Sequence, residues 1–218
     1  TLGINLSSNM AYGNETLTVT PVANSIYDAS GNAASTSQSN NTATLNGIAQ
    51  QLGSDIDGKA AGDRFGGSVS FNNYGDRIAI GAYDNDGNGT DAGQVQIFSW
   101  NGSAWIQLGS DIDGESAGDQ FGHSVAMSAD GNRVVIGAQK NDANGTDAGS
   151  ARVYYYNGNA WIQLGADIDG DAADDRFGRI VSINDAGDRI AIGAYRNDDA
   201  SGPDAGHVKI FIWNGTAW

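Results

Sequence analysis

The chain has 218 residues, with 26 acidic residues against 11 basic ones and a formal net charge of -15. This charge balance argues against nucleic acid as a partner, because neutralising phosphates requires clustered Lys and Arg. The absence of Cys excludes disulfides and thiolate zinc sites, and no apolar run approaches the roughly 20 residues that span a bilayer, so we expect no membrane insertion. The sequence begins at Thr1 without a leader-like segment, which is typical of a mature segment or of a piece of a longer polypeptide.

Residues 1–46 form the first predicted region, which contains no Lys or Arg and is rich in Ser, Thr, Asn and Ala. The stretch "ETLTVTPV" alternates like a β-strand. A following segment resembles the last strands of bacterial Ig-like repeats of large surface and secreted proteins, through Ile26, Tyr27, Asp28, Gly31, Asn32 and Ala33. The resemblance implies an Ig-like C-terminal remnant or a strand-donating arm, whereas composition alone also fits a disordered linker.

Residues 47–218 form the second predicted region, in which one pattern recurs three times. Phe-Gly pairs that begin at Phe65, Phe121 and Phe177 recur at equal spacing, and the third unit gains one residue in a polar loop. A repeat of this length, rich in strands and Gly turns, is typical of propellers and solenoids, whose units bury their faces against one another. The predicted units are about 47–105, 106–161 and 162–218.

Each unit is predicted to contain four strands. In the first unit, "GGSVSF" alternates with period two, "RIAIGA" is continuously apolar as in a strand buried on both faces, and "QVQIFSW" supplies a third strand. The Asn-Gly pair of "NGSAW" then predicts a tight hairpin to an outer strand and its exit loop in "WIQLGSDID". The predicted fold class is all-β, with three four-stranded, β-propeller-type repeats preceded by an Ig-like or extended β segment.

The Phe-Gly pairs, each followed at nearly the same distance by Gly-Ala, resemble the FG-GAP repeat of integrin α-type β-propellers. The resemblance covers roughly 47–218 and implies an extracellular protein of the cell-adhesion type. One departure is that the Pro of Gly-Ala-Pro is replaced by Tyr83, Gln139 and Tyr195.

Closure of the propeller is left open by the sequence. Propellers usually have four to eight blades, whereas this chain codes for three units. An outer-type strand at Ile48–Asp55 is predicted before the first complete unit. The sequence therefore fits either a fragment of a larger propeller or a homo-oligomer in which the outer strand of one copy completes the last blade of another, so that two chains supply six blades.

Alternating carboxylates in the loop between units are candidate Ca²⁺ ligands, because oxygen-rich turns wrap this cation. The candidates are Asp111, Asp113, Glu115 and Asp119 in the second copy, and Asp167, Asp169, Asp171 and Asp175 in the third. The first copy has Lys59 at the position of Glu115. A further candidate loop contains Asp86, Asn88 and Asp91, repeated as Asp142, Asn144 and Asp147. The alternative for both loops is a solvated turn that Asp and Asn side chains close onto their own backbone.

The resemblance does not supply the family's calcium sites, because the stretch between Phe-Gly and Gly-Ala has too few carboxylates here. The paired aromatics of the outer hairpins, such as Trp100 and Trp105, are predicted to pack across the hairpin rather than to bind sugars. His123 and His207 fall in no catalytic motif, and acids repeated in every unit suit structure better than one active site.

These patterns predict a non-enzymatic, extracellular adhesion or binding module of a bacterial surface protein. Its expected partners are a protein or glycan ligand, or copies of itself. The alternatives are a structural subunit of a filament or sheath, assembled by completing blades between chains, and a glycan-binding lectin.

Overall fold

A computed structural model describes Thr16–Thr18, Thr42–Thr44, 51–199 and 201–218. The chain divides into two units, Thr1–Leu52 and Gly53–Trp218. In the first unit, β1 (Thr16–Thr18) pairs antiparallel with β2 (Thr42–Thr44), with Thr16 opposite Thr44. The predicted Ig-like segment at 26–33 and residues 48–50 of the predicted outer strand lie outside the described residues.

The second unit consists of three antiparallel sheets in chain order. Blade 1 contains β3 (Phe65–Phe71), β4 (Arg77–Ala82), β5 (Gln94–Trp100), β6 (Trp105–Gln107) and β7 (Ile112–Asp113). Blade 2 contains β8 (Phe121–Met127), β9 (Arg133–Ala138), β10 (Ser150–Tyr156), β11 (Trp161–Gln163) and β12 (Ile168–Asp169). Blade 3 contains β13 (Phe177–Ile183), β14 (Arg189–Ala194) and β15 (His207–Ile212). No helix occurs in the described ranges, and the all-β repeat prediction is confirmed.

The outer edge of each of the first two blades is a broken strand rather than a continuous one. Both β6 and β7 pair with β5, so that Trp105 lies opposite Trp100 and Ile112 opposite Val95. Gly109 lies between the two pieces with a φ of 79°, a conformation that few residues other than Gly adopt. The outer edge therefore belongs to the same sheet as the three strands that precede it.

The outer-type strand predicted at Ile48–Asp55 is not found where the chain is described. Residues 51–55 form bends and irregular structure. The equivalent residues after blades 1 and 2, 107–111 and 163–167, are also irregular apart from their first residue, because they span the break between the two paired pieces of the outer edge. The strand prediction is therefore wrong for residues 51–55, and its first part lies outside the described residues.

The apolar core lies between neighbouring blades. One cluster joins Val95 and Ile97 of blade 1 to Phe121, Val125 and Met127 of blade 2. A second cluster joins the middle and third strands of blade 2 to Phe177 and the first two strands of blade 3. Burial of the middle strands on both faces explains their continuous apolar sequence.

The Phe-Gly and Gly-Ala pairs have a common structural purpose, which is to let two blades approach closely. A Cβ atom on Gly81 would lie 2.0 Å from the carbonyl oxygen of Gly122, and one on Gly137 would lie 1.9 Å from that of Gly178. Ser68 Oγ and Ser124 Oγ donate hydrogen bonds to the same two carbonyl groups, at 2.7 and 2.8 Å. Only Gly leaves room for this backbone contact.

Tilted aromatic pairs stabilise the outer hairpins, as predicted. The ring centroids are 5.4 Å apart for Trp100 and Trp105, and 5.3 Å apart for Tyr156 and Trp161. Trp161 Nε1 also donates a hydrogen bond of 2.8 Å to the carbonyl oxygen of Leu108 in the preceding blade. These Trp side chains therefore serve the fold both within and between blades.

Candidate functional site

The longer loops of the blades lie at one end of the sheets, which we call the loop end. It is the end at which the first strands begin and the second strands finish, since Phe65 pairs with Ala82 and Phe121 with Ala138. The opposite end, called the turn end, carries the short turns and the Asn-Gly hairpins. All of the carboxylates predicted as Ca²⁺ ligands lie at or near the loop end.

The structure does not bring the first set of predicted calcium ligands together. Asp111 pairs with Lys59, and Asp113 accepts a hydrogen bond of 2.7 Å from Gln94 Nε2. Glu115 lies 2.7 Å from Arg152, and Asp119 accepts a hydrogen bond of 2.9 Å from Asn141 Nδ2. Each carboxylate thus has its own protein partner.

The third-copy carboxylates are likewise separated. Asp167 pairs with Arg152 at 3.0 Å and Asp171 with Lys209 at 2.5 Å, while Asp175 accepts from Asn197 at 2.9 Å. Burial, followed by the neighbouring charge of Asp167, raises the pKa of Asp169. Across the part of the chain that the structure describes, no group of three or more His, Asp or Glu is placed to hold a metal ion. Calcium binding stays a prediction.

The further candidate loop is closed by its own side chains. Asp86 Oδ1 accepts a hydrogen bond from the backbone of Asp91 at 2.9 Å, and Asp142 Oδ1 accepts one from Asp147 at 2.8 Å. Asn88 and Asn144 donate to the carbonyl oxygens of Gly114 and Gly170, at 2.7 and 2.9 Å. The bonds of Asp86 and Asp142 close the loop onto its own backbone, as the alternative to Ca²⁺ ligation has it, whereas those of Asn88 and Asn144 attach the loop to the segment that leads to the next blade.

A buried Asp–Asn pair fixes the loop end of every blade. Asn85 donates to Asp63 at 2.8 Å, and the pairs Asn141–Asp119 and Asn197–Asp175 repeat the bond at 2.9 Å. Burial is the largest influence on Asp119 and raises its pKa, although the bond from Asn141 opposes this shift. Because the pair is identical in all three blades, it belongs to the scaffold.

Two rows of positions at the loop end differ between the blades although their surroundings repeat. The residue after Phe-Gly is Gly67, His123 or Arg179, and the residue after Gly-Ala is Tyr83, Gln139 or Tyr195. The three blades share one backbone design, so the fold does not require these particular side chains. They are therefore the best candidates for functional residues.

Hydrogen bonds connect these rows across the blade boundaries. Gln120 Nε2 donates to Asp84 Oδ1, Gln139 Nε2 donates to Gln120 Oε1, and Arg179 Nη1 donates to Gln139 Oε1, each at 2.9 Å. Arg179 Nη1 also lies 2.9 Å from His123 Nε2. We call this chain of side chains the rim network; it comprises Asp84, Gln120, His123, Gln139 and Arg179.

The guanidinium group of Arg179 is the exposed end of the rim network. Its Cζ lies 5.4 Å from the ring centroid of Tyr195, which is 53% exposed. A guanidinium group only donates, so His123 Nε2 must accept and the neutral ring carries its proton on Nδ1. Burial and then the positive charge of Arg179 lower the pKa of His123, which keeps the ring neutral at neutral pH.

Arg179 also differs from most other basic residues of the second unit in its partners. Seven of these residues form ion pairs with carboxylates, namely Lys59, Arg64, Arg152, Arg176, Arg189, Arg196 and Lys209. Within the described residues Arg179 forms none, although it is exposed and belongs to a chain of net charge -15. The rim network thus presents an uncompensated, oriented cation beside an aromatic ring.

From the sequence alone, Gln139 and Tyr195 are departures from the Gly-Ala-Pro pattern and His123 falls in no catalytic motif, so none of the three was predicted as a site residue. The signal that identifies them is the mismatch between blades at positions where the surrounding sequence is nearly identical. Gln120 was missed, although the same signal marks it: its counterparts are Arg64 and Arg176, which share its positive φ but form ion pairs with Asp84 and Asp147.

The comparisons with known proteins concern the repeat region. The model of the FG-GAP repeat family matches residues 56–98, 112–154 and 167–211, which together make up more than half of the chain. Among solved structures, the chain is similar to Kuenenia stuttgartiensis hydrazine synthase, with 12% identity and a TM-score of 0.39. That match covers 62% of this chain and 30% of the other, and a likeness at this TM-score carries no functional argument. No curated protein matches.

Proposed function

Because the chain belongs to the FG-GAP repeat family, we propose that it is a non-enzymatic binding module of a bacterial cell surface that holds its ligand at the rim network. FG-GAP repeats occur in extracellular proteins, and their propeller folds are generally non-enzymatic. In the described ranges no helix is long and apolar enough to span a membrane.

The observation that carries the proposal is the exposed guanidinium group of Arg179, which has no carboxylate partner within the described residues. Gln139 and His123 fix its position through Nη1, so little side-chain entropy remains to be lost on binding. An Arg held in this way favours a planar anion, since its N–H groups match the two oxygens of a carboxylate.

The neighbouring Tyr195 suggests what accompanies that anion. Its exposed ring offers an apolar surface to a sugar ring or a peptide side chain. The ligand class that we propose is therefore a carboxylate-bearing glycan or an acidic protein segment. The negative charge of the rest of the chain would repel polyanions, which favours ligands with isolated carboxylates over nucleic acids.

A binding assay on immobilised ligands tests the proposal. The panel contains polysaccharides with and without uronic or sialic acids, and acidic and neutral peptides, and each is tested with monomeric protein. We expect binding to carboxylate-bearing members, and a loss of about ten- to a hundred-fold in R179A, because hydrogen bonds to charged groups contribute about 1.5–3 kcal/mol.

The matched control is R196A, which removes the same charge from the loop end of the same blade, where Arg196 pairs with Asp174 and Asp204. We expect R196A to bind like the unaltered chain. Equal losses in the two variants would mean that only net charge matters, and no binding to any member, or full binding by R179A, would refute the proposal.

A further inference from the structure

Blade 3 leaves an apolar face exposed that the other blades bury. Val208 and Ile210 on β15 are 67% and 75% exposed. The equivalent residues on the third strands of blades 1 and 2 are at most 1% exposed; they are Val95, Ile97, Ala151 and Val153. The open face of blade 3 encloses a groove of about 580 Å³ that is lined by Ile180, Val181, Ala191, Gly193 and Val208 among others. Arg179 and Tyr195 also line this groove, so a partner that covers the face would compete with a ligand bound at the rim network.

Blade 1 exposes the complementary face. Val69 and Phe71 on β3 are 58% and 53% exposed. Their counterparts in blade 2, Val125 and Met127, are 9% and 7% exposed because they pack into the cluster that also contains Val95 and Ile97. In each internal interface, the first strand of one blade thus covers the third strand of the blade before it. Within the described residues 51–199 and 201–218, one face of each kind is left without a neighbouring blade.

The internal interfaces also share a set of polar contacts at the turn end. Arg77 Nη1 donates to the carbonyl oxygen of Gly131 at 3.1 Å, and Arg133 Nη1 donates to that of Gly187 at 2.8 Å. The counterpart in blade 3 is Arg189, whose side chain is 58% exposed. The matching acceptor on blade 1 is Gly75, next to the carboxylate of Asp76.

A second contact joins successive turns through the backbone. Asn73 N donates to the carbonyl oxygen of Ala129, and Ala129 N donates to that of Asp185, both at 3.1 Å. If blade 1 of another chain followed blade 3, the equivalent hydrogen bond would run from the backbone amide of Asp185 to the carbonyl oxygen of Asn73 in that chain. The turns therefore repeat the same donor and acceptor at every boundary.

The close backbone contact provides the strictest match. Gly81 and Gly137 have no room for a Cβ, because the Gly of the next Phe-Gly pair lies against them. On Gly193 the same Cβ would have only the carbonyl oxygen of Ile180 within 4 Å, at 3.8 Å. On blade 1, Gly66 of the first Phe-Gly pair has nothing within 4 Å of its ideal Cβ position. Each open face thus holds one half of the Gly-to-Gly contact.

We propose that the open face of blade 3 binds blade 1 of a second copy of this chain, head to tail, in the same geometry as the two internal interfaces. The surfaces match in apolar residues, in the Gly-to-Gly contact and in charge, since Arg189 would approach Asp76 of the second copy. One contact is not repeated, because Ile180 replaces the Ser68 and Ser124 that donate to the Gly carbonyl groups of the internal interfaces. Such a heterologous contact forms a ring if its rotation closes and a filament if it does not. Two copies would contain six blades, which lies within the usual range for propellers.

The charge of the chain sets the conditions for assembly. Two chains of net charge -15 repel each other at long range, whereas the contact itself is mainly apolar. Salt screens the repulsion, and a kosmotropic salt such as sulfate also strengthens apolar burial, so assembly should increase with ionic strength. A contact made chiefly by ion pairs would show the opposite dependence.

The test measures molar mass by light scattering after size exclusion, over a dilution series at low and high salt. We expect whole-number multiples of the monomer mass, with a dissociation constant that falls as salt is added. G193A should raise the dissociation constant at least tenfold without unfolding the monomer, since the added methyl group has space in the free chain but not in the docked one.

Two further variants test both halves of the contact, namely V69D on blade 1 and I210D on blade 3. The matched control is I106D, which places the same charge at an Ile that is 52% exposed on β6, outside both faces. V69D and I210D alone should be monomeric, whereas I106D should assemble like the unaltered chain. An equimolar mixture of V69D and I210D should form a dimer, because each variant keeps the half that the other has lost.

The proposal is overturned if the unaltered chain stays monomeric at every concentration and salt condition. It is also overturned if assembly occurs but G193A does not weaken it, because a different surface is then responsible. A mixture of V69D and I210D that stays monomeric would contradict head-to-tail contact. Circular dichroism of each variant distinguishes loss of assembly from loss of folding.

Discussion

Replacing Gly137 with Ala tests whether the Gly-to-Gly contact holds the blades together. The added Cβ would lie 1.9 Å from the carbonyl oxygen of Gly178 and 2.6 Å from Ser124 Oγ. Carbon atoms need about 3.5–4.0 Å to pack without repulsion, so blades 2 and 3 would have to move apart by more than about 1 Å. That movement would loosen the apolar cluster around Phe177.

The expected magnitude follows from this geometry. Overpacking a core typically costs about 1–3 kcal/mol, and the obstacle here is backbone that cannot change rotamer, so we expect about 3 kcal/mol or more for G137A. That is a large share of the roughly 5–15 kcal/mol by which domains are stable. For a chain of this size it corresponds to a decrease in Tm of about 6–12 °C.

G193A is the matched control, since it makes the same change at the equivalent position of blade 3. With only the Ile180 carbonyl oxygen within 4 Å, at 3.8 Å, the methyl group meets no obstacle. Ala restricts the unfolded chain more than Gly does, so we expect G193A to be stabilised by about 0.4–1 kcal/mol. Urea unfolding of both variants at low protein concentration measures the difference. If the two variants were equally stable, the steric account of the repeat would be refuted.

Three other predictions concern titration, burial and metal binding. The lowered pKa of His123 means that the folded chain binds a proton at this ring less readily than the unfolded chain does. Stability should therefore fall as the pH drops below about 6.5, the ordinary pKa of His, and H123Q should remove that part of the pH dependence. The Tm measured between neutral and mildly acidic pH checks this. N141A should lower the unfolding free energy by about 1–3 kcal/mol, because it leaves the buried carboxylate of Asp119 without its amide donor; D119N should be compared by urea unfolding, and an unchanged stability in N141A would contradict the scaffold role. A calcium site built on Asp111 and Asp113 should raise the Tm on addition of CaCl₂, and D113N should abolish the increase; a Tm that is equal in CaCl₂ and in chelator would count against the site.

Much of the fold could be predicted from the sequence because its signals are local. The constant spacing of the Phe-Gly pairs can be read directly from the chain, and the alternating first strand and the Asn-Gly hairpins each depend on neighbouring residues. Together they identify the strands from Phe65 onward. The break between β6 and β7 could not be predicted in this way. It depends on Gly109 with positive φ and on how Ile112 returns to the same partner strand.

The candidate site was harder to predict because its contacts cross blade boundaries. The bond from Gln120 to Asp84 spans 36 residues and that from Arg179 to Gln139 spans 40. Sequence spacing alone suggested that alternating carboxylates share one ligand. In the structure, Asp113 belongs to β7 and bonds to Gln94, whereas Asp111 precedes that strand and pairs with Lys59. Residues that are close in sequence thus serve different partners.

The Gly-to-Gly contact has a consequence for how such a chain can change in length. Each boundary uses the same two glycines, one from the end of a second strand and one from the following Phe-Gly pair. A tandem duplication of one whole repeat that begins anywhere within blade 2 would therefore create a new boundary that is already compatible with both neighbours. Growth by whole repeats needs no compensating substitution, whereas an insertion of any other length must be absorbed in a loop, as the extra residue of the third unit is.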